Sequence, residues 1–176
     1  MAETERPEQI VVSDAGPLIH LDEVGSLDLL SDFSKVLVPD AVWSEVLKHR
    51  PNALTHANVL LNRTDVEPAL PARLFEIAQS FSLHIGEVQA LQIALSSPVD
   101  LMLTDDTAAR LAGKHLGLAV HGTIGILLRS IRRGQRTPEQ IAATLRSLPT
   151  DSTLHLKATL LDEVILAVES HLPGNP

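Results

Sequence analysis

Short apolar runs that break off at a carboxylate recur along this chain. Ile10-Val11-Val12-Ser13 ends at Asp14, and Leu101-Met102-Leu103-Thr104 ends at Asp105-Asp106. Such runs suit strands buried on both faces, and in parallel α/β sheets the carboxyl ends of the strands open onto the ligand crevice. Lys35 to Val38, stopping at Pro39-Asp40, is a third strand candidate, and Leu118-Ala119-Val120 a fourth. Between them the spacing of apolar positions becomes helical. Helices are expected over 17–23, 26–33, 41–47 with Asp40 as cap, 72–81, 86–95, 106–115, 122–133 and 137–148. Pro17 suits a first helical turn, and Leu116-Gly117 supplies a stop. Thr137-Pro138-Glu139-Gln140 joins a capping threonine to Pro at the first position and Gln at the third. Strand, helix and strand over 101–120 form a βαβ unit, so the sheet is parallel with a right-handed crossover.

Two stretches carry a weaker pattern. Residues 53–61, flanked by prolines, read as a helix or an insertion, and Leu154-His155-Leu156 reads as an edge strand before a last helix over 160–170. No internal repeat or low-complexity tract interrupts the chain.

The helical register also aims two glutamates. Glu45 lies on the flank of the stripe begun by Val42 and Val46, turned toward the sheet more than toward bulk water. Glu87 shares an i, i+4 line with Leu91 and Leu95, although the helix dipole alone accounts for an acid in a first turn.

Composition narrows the chemistry. With 176 residues the chain fits one domain, and with no cysteine it excludes disulfide scaffolds, cysteine-zinc sites and thiol nucleophiles. A reducing, cytoplasmic setting follows as the expectation, with no membrane span. The formal net charge of −8 argues against a surface coated by nucleic-acid phosphate. Acids that hold cations contribute to that charge, and they attract phosphate only once metallated. Aromatics make up 2% of the chain, too few for a base-stacking platform.

Asp14 and Asp105/Asp106 at strand ends, with Glu45 and Glu87 on sheet-facing helix sides, would converge if the two aspartate strands are neighbours. Clustered carboxylates do not all stay ionised without a cation, and an all-oxygen set suits Mg²⁺ or Mn²⁺ rather than zinc. Such ions support phosphodiester hydrolysis by activating water and stabilising the leaving oxygen.

Four segments, VVSDAGPLIHL, VLVPDAVWSEVL, IGEVQALQIAL and LMLTDDTAARLAGKHLGLAVHGTIGILL, together resemble the PIN-domain ribonucleases, including the VapC-type toxins of bacterial toxin–antitoxin pairs. Their order and spacing carry the resemblance, closest to a PIN-like branch with GE and DD at the third and fourth acidic positions. It implies a three-layer α/β/α fold around a parallel sheet of four or five strands. The corresponding division is a disordered lead at 1–9, a PIN-like domain at 10–148, and an edge strand with a helix at 149–176 packed on the same domain. By position, Asp14, Glu45, Glu87 and Asp106 resemble the four acids of the family, implying a catalytic set. Asp14, Glu87 and either Asp105 or Asp106 would hold Mg²⁺ or Mn²⁺, with Glu45 helping or orienting water. Ala15-Gly16 stand where many members carry hydroxyl or amide side chains, and Thr104 is the nearby hydroxyl that can substitute. An RNA substrate, a homodimer and a cognate antitoxin complete what the resemblance implies.

Arg110, one turn beyond Asp106, can meet substrate phosphate or form an i, i+4 salt bridge. The arginines over 129–136 can position an RNA backbone or simply favour a helix C-terminus. The eight histidines show no ligand spacing. Two other readings remain: a PIN-like module that binds protein or RNA without turnover, and a phosphotransfer enzyme on a similar sheet. The second lacks its usual aspartyl nucleophile motif and matching lysine.

Overall fold

Alternate residues of the central strands enter opposite cores. The computed structural model describes residues 9–170. Its strands are β1 (Ile10–Ser13), β2 (Lys35–Pro39), β3 (Leu61–Thr64), β4 (Leu101–Leu103) and β5 (Val120–His121), all parallel, in the order β3-β2-β1-β4-β5. The helices are α1 (Ala15–Glu23), α2 (Asp40–His49), α3 (Ala72–Ser80), α4 (Ile85–Ser96), α5 (Thr107–His115), α6 (Thr123–Arg132), α7 (Pro138–Asp151) and α8 (Ala158–Glu169), with 3₁₀ turns at Leu27–Asp32 and Pro51–Thr55. Val11, Val36, Val38, Leu101 and Leu103 pack with α1, α2, α6, α7 and α8 on one side. Val12, Leu37, Met102 and Val120 pack with α3, α4 and α5 on the other. The period of two along each strand thus divides the chain into three layers, the α/β/α arrangement the sequence implies.

The sheet has five strands, but the fifth is not the expected one. β3 lies in the stretch with the weakest pattern, because an edge strand of sequence LNRT leaves its side chains partly exposed and shows no alternation. Pairing with β2 from Val36↔Leu61 to Pro39↔Thr64 holds it. Behind it, the buried Gln92 amide donates to the carbonyls of Glu67 (2.8 Å) and Ala69 (3.2 Å), which ties down the loop into α3. Leu154-His155-Leu156 forms no strand. Leu154 and Leu156 rest against the core shared by α7 and α8 instead, a packing that polar-spaced leucines serve as well as they serve a strand.

Leu161 and Val168 of α8 join the same core as α7. Of the lead expected at 1–9, residues 1–8 lie outside the described residues, as do 171–176 of the C-terminal segment. Gln9 is held: its carbonyl accepts from the Ser34 amide at 2.9 Å and its side chain from Arg129. Among the described residues no helix is long and apolar enough to cross a membrane.

Candidate active site

The sheet winds outward in both directions from β1, which lies between β2 and β4, so the crevice opens at the carboxyl ends of β1 and β4. The register Ser13↔Leu103 brings Asp14 level with Thr104. The Asp14 amide donates to Leu103 O at 2.8 Å, and the Thr104 hydroxyl donates to Asp14 Oδ2 at 3.0 Å. A cleft of about 320 Å³ lies beyond, and Asp14, Glu45, Glu87, Asp105 and Asp106 all line it.

Each acid is held differently. Asp14, 7% exposed, occupies the N-cap position of α1 without a side-chain capping bond, its carboxylate held by Thr104 instead. Glu87 reaches back to accept from the His84 amide at 2.8 Å, closing a capping box at the head of α4. Asp106 caps α5, accepting from Ala109 N at 2.8 Å, while its own amide donates to Thr104 Oγ1 at 3.2 Å. Glu45 reaches the cleft from exposed α2 surface. Gly86 lets the head of α4 come close: a Cβ there would lie 3.7 Å from Asp14 Oδ1 and 3.9 Å from Glu45 Oε2. Thr104 therefore bridges two acids, and its hydroxyl stands where Ala15 and Gly16 offer none.

Burial pushes the Asp14 carboxyl up to about 7; the charges of Glu87 and Glu45 add to this, against the opposing hydrogen bonds from Ala15 and Thr104. Glu87 is raised as well, chiefly by burial and by the charges of Asp106 and Glu45, against the His84 amide. Neither acid has a lysine or arginine partner; His84 Nδ1 lies 3.8 Å from Glu87 Oε1. In this geometry, among the described residues, no three His, Asp or Glu side chains converge closely enough to clasp an ion. The carboxylates nonetheless fit a hard divalent cation: they are oxygen donors, partly anchored by amide and hydroxyl groups, with no lysine or arginine beside them, although His20, His84 and His155 also line the cleft.

The two adjacent aspartates serve different ends. Asp105 Oδ1 accepts from Thr123 N (2.7 Å), while Oδ2 accepts from Thr123 Oγ1 (2.6 Å) and lies 2.8 Å from His20 Nδ1. Both its oxygens are committed to neighbours in α1 and α6. Sequence reading missed His20 and Thr123, since neither has a spacing signal relative to Asp105. Arg110 forms no bridge to Asp106. Its Nη2 donates to Thr104 O at 3.1 Å, and the side chain lines a neighbouring groove rather than the carboxylate cleft. Three of the four arginines over 129–136 are paired within the fold, and Arg132 is exposed. Arg129 and Arg133 meet the buried Asp32 at 2.7 and 2.8 Å, and Arg136 meets Asp28 at 2.7 Å.

The 152–157 segment, which contains the expected edge strand Leu154-His155-Leu156, borders the cleft through Thr153, Leu154 and His155. Glu23 anchors it, accepting from the Ser152 hydroxyl (2.9 Å), the Thr153 amide (2.7 Å) and the Thr153 hydroxyl (2.9 Å). Partial desolvation opposes the charge on Glu23, but these bonds outweigh it and hold the carboxyl below its usual range. That stabilisation is present above the usual carboxylate range and is lost as pH falls through the lowered value. Glu23→Ala is expected to cost about 1–2 kcal/mol and to speed hydrogen exchange at the Thr153 amide at pH 7. Unchanged exchange there would mean that Glu23 does not secure the segment.

Comparison with known proteins agrees with this arrangement. A family model described as a PIN domain matches residues 10–170. No curated protein matches the chain.

Proposed function

Because the chain belongs to the PIN-domain family, whose members are generally nucleases that use divalent metal ions, we propose that it is a Mg²⁺- or Mn²⁺-dependent endoribonuclease. The observation that carries the reading is the buried Asp14 carboxyl sharing one cleft with Glu45, Glu87 and Asp106, with no lysine or arginine lining it. Asp14, Glu87 and Asp106 would hold the cation. When bound, it supplies Lewis acidity that activates water and offsets charge on the leaving oxygen of a phosphodiester.

The chain's own residues do the rest. Thr104 fixes the rotamer of Asp14, the His84 amide that of Glu87, and the Ala109 amide that of Asp106. Glu45, on the exposed side, orients the attacking water. Asp105 holds His20 against the wall of the cleft and positions the start of α6. The finer assignment is a toxin-type enzyme, homodimeric and restrained by a cognate antitoxin, supported by the likeness of the four segments to VapC-type sequences.

The test is cleavage of a mixed RNA with Mn²⁺ and with EDTA, comparing the unaltered protein with Glu87→Gln and Asp106→Asn, alongside thermal melts. Metal-dependent cleavage lost in both variants is expected. Mn²⁺ at a hundredfold excess over its Kd should stabilise the fold by about 2.7 kcal/mol, or roughly 5–10 °C at this size. Intact RNA with a preserved thermal shift would leave a metal-binding interaction module. Absence of any shift would remove the metal site itself.

A further inference from the structure

Beside the carboxylate cleft lies a second, larger concavity of about 640 Å³, and Asp105, Leu154 and His155 line both. Its walls are aliphatic: Ile124 and Leu128 of α6, Leu160 and Val164 of α8, and Leu156. Leu160 is 48% exposed at its rim, an apolar side chain left in water. Polar groups interrupt these walls, chief among them Arg110 and His121, with Asp105, Thr107, His155 and Lys157 also lining the groove.

Arg110 differs from Arg129, Arg133 and Arg136. Arg129, Arg133 and Arg136 neutralise carboxylates, whereas Arg110 bonds only the neutral carbonyl of Thr104 and has no carboxylate partner among the described residues. In a chain of net charge −8, the Arg110 guanidinium, near the Asp105 carboxylate but bonded to neither of its oxygens, and Lys157 bring cationic groups beside the crevice that suit a polyanion. His121 is kept neutral, its pKa lowered by burial and by the charges of Arg132, Arg129 and Arg110. Its Nδ1 is buried beside Gly125 with no partner. Nε2 is therefore the ring atom left for a ligand in the groove. An apolar helix from a protein partner would cover these walls but offer no polar partner to Arg110 and His121.

We propose that this groove holds the nucleobase of a single-stranded ribonucleotide adjoining the phosphate at the carboxylate cleft. The aliphatic walls enclose the base, the Arg110 guanidinium stacks on it or bonds its edge, and His121 completes the polar contacts. Its position beside a bond to be cut rests on the ribonuclease reading of the neighbouring cleft. With no aromatic side chain in the walls, affinity for one nucleotide is weak and selectivity comes from the base edge.

Titration of the metal-free protein, in EDTA, with each of the four ribonucleoside 5′-monophosphates tests this without turnover. The methyl signals of Leu128, Leu160 and Val164 and the ring signals of His121 are followed by NMR. Saturable shifts confined to these groups are expected, with affinity reduced tenfold or more in Arg110→Ala and in Leu160→Glu, both melting as the unaltered protein does. No shift at about 10 mM nucleotide, or shifts only around Gly86 and Glu87, would overturn the proposal. So would groove shifts that grow with protein concentration alone and accompany a doubled mass in sedimentation, since a second copy would then fill the groove. If nucleotides bind here but RNA survives Mn²⁺, base binding stands and the ribonuclease reading fails. If RNA is cut and the groove stays silent, only the groove proposal fails.

Discussion

Asp14→Asn is expected to reduce metal-dependent RNA cleavage by at least about 100-fold while making the metal-free protein more stable above neutral pH. The activity loss follows from the proposed role, since even outer-shell partners of a metal are worth about 10–100-fold and Asp14 would be a direct ligand in that reading. The stability gain follows from burial. The carboxyl titrates near 7 in the fold against an ordinary value of 3.8, so between these the native state binds the proton more tightly than the unfolded chain. Stability from this group is complete below about pH 4, falls as pH rises, and is gone once pH passes about 7. A displacement of that size amounts to about 4 kcal/mol at most, and coupling to Glu87 and Glu45 spreads it over the cluster.

Asparagine cannot ionise, yet its carbonyl oxygen can accept from Thr104. In EDTA the unaltered protein should therefore melt several degrees lower at pH 8 than at pH 5, while the variant shows a much smaller decline. The gap between them at pH 8 should be on the order of 2 kcal/mol. Mn²⁺ should raise the melting temperature of the unaltered protein and leave the variant nearly unmoved. Parallel pH dependence in the two proteins would show that Asp14 is not the group being protonated.

The features read from sequence share a physical basis: they are local. β1 and β4 are continuous apolar runs because both faces are covered, and each ends at its acid because the sheet ends there. Thr137 and Gln140 form the expected capping box because its residues lie within one turn. What was illegible depends on partners far along the chain. β3 borrows its order from β2 and from Gln92. The 152–157 segment takes its path from Glu23, more than a hundred residues earlier. Arg129, Arg133 and Arg136 look free until the fold brings Asp28 and Asp32 to them. Asp105 and Asp106 look interchangeable in sequence, and only Thr123 and His20 on one side and Ala109 on the other tell them apart.

Gly122 is another residue whose importance appears only in three dimensions, and Gly122→Ala is expected to damage fold and site together. Its backbone, at φ −117°, is open to any residue, so the requirement is for space. A Cβ would overlap Asp105 Oδ1, lie 2.6 Å from Arg110 Nη2 and approach Thr104 O at 3.1 Å. Arg110 can swing aside, but Asp105 is fixed by Thr123 and His20 and cannot retreat without breaking those bonds. Overpacking of this kind costs about 1–3 kcal/mol, which should lower the melting temperature by roughly 2–10 °C. Displacement of Asp105 shifts its neighbour Asp106 and frees His20, so cleavage should fall tenfold or more even at temperatures where the variant is folded. Gly16→Ala is the matching control, because its Cβ would meet Asp105 Cβ at 3.4 Å and His20 Cε1 at 3.5 Å, ordinary contact distances. That variant should melt within about 1 kcal/mol of the unaltered protein. If both alanines behave alike, whether silent or damaging, then the close packing of Gly122 on Asp105 is not what orders this side of the cleft.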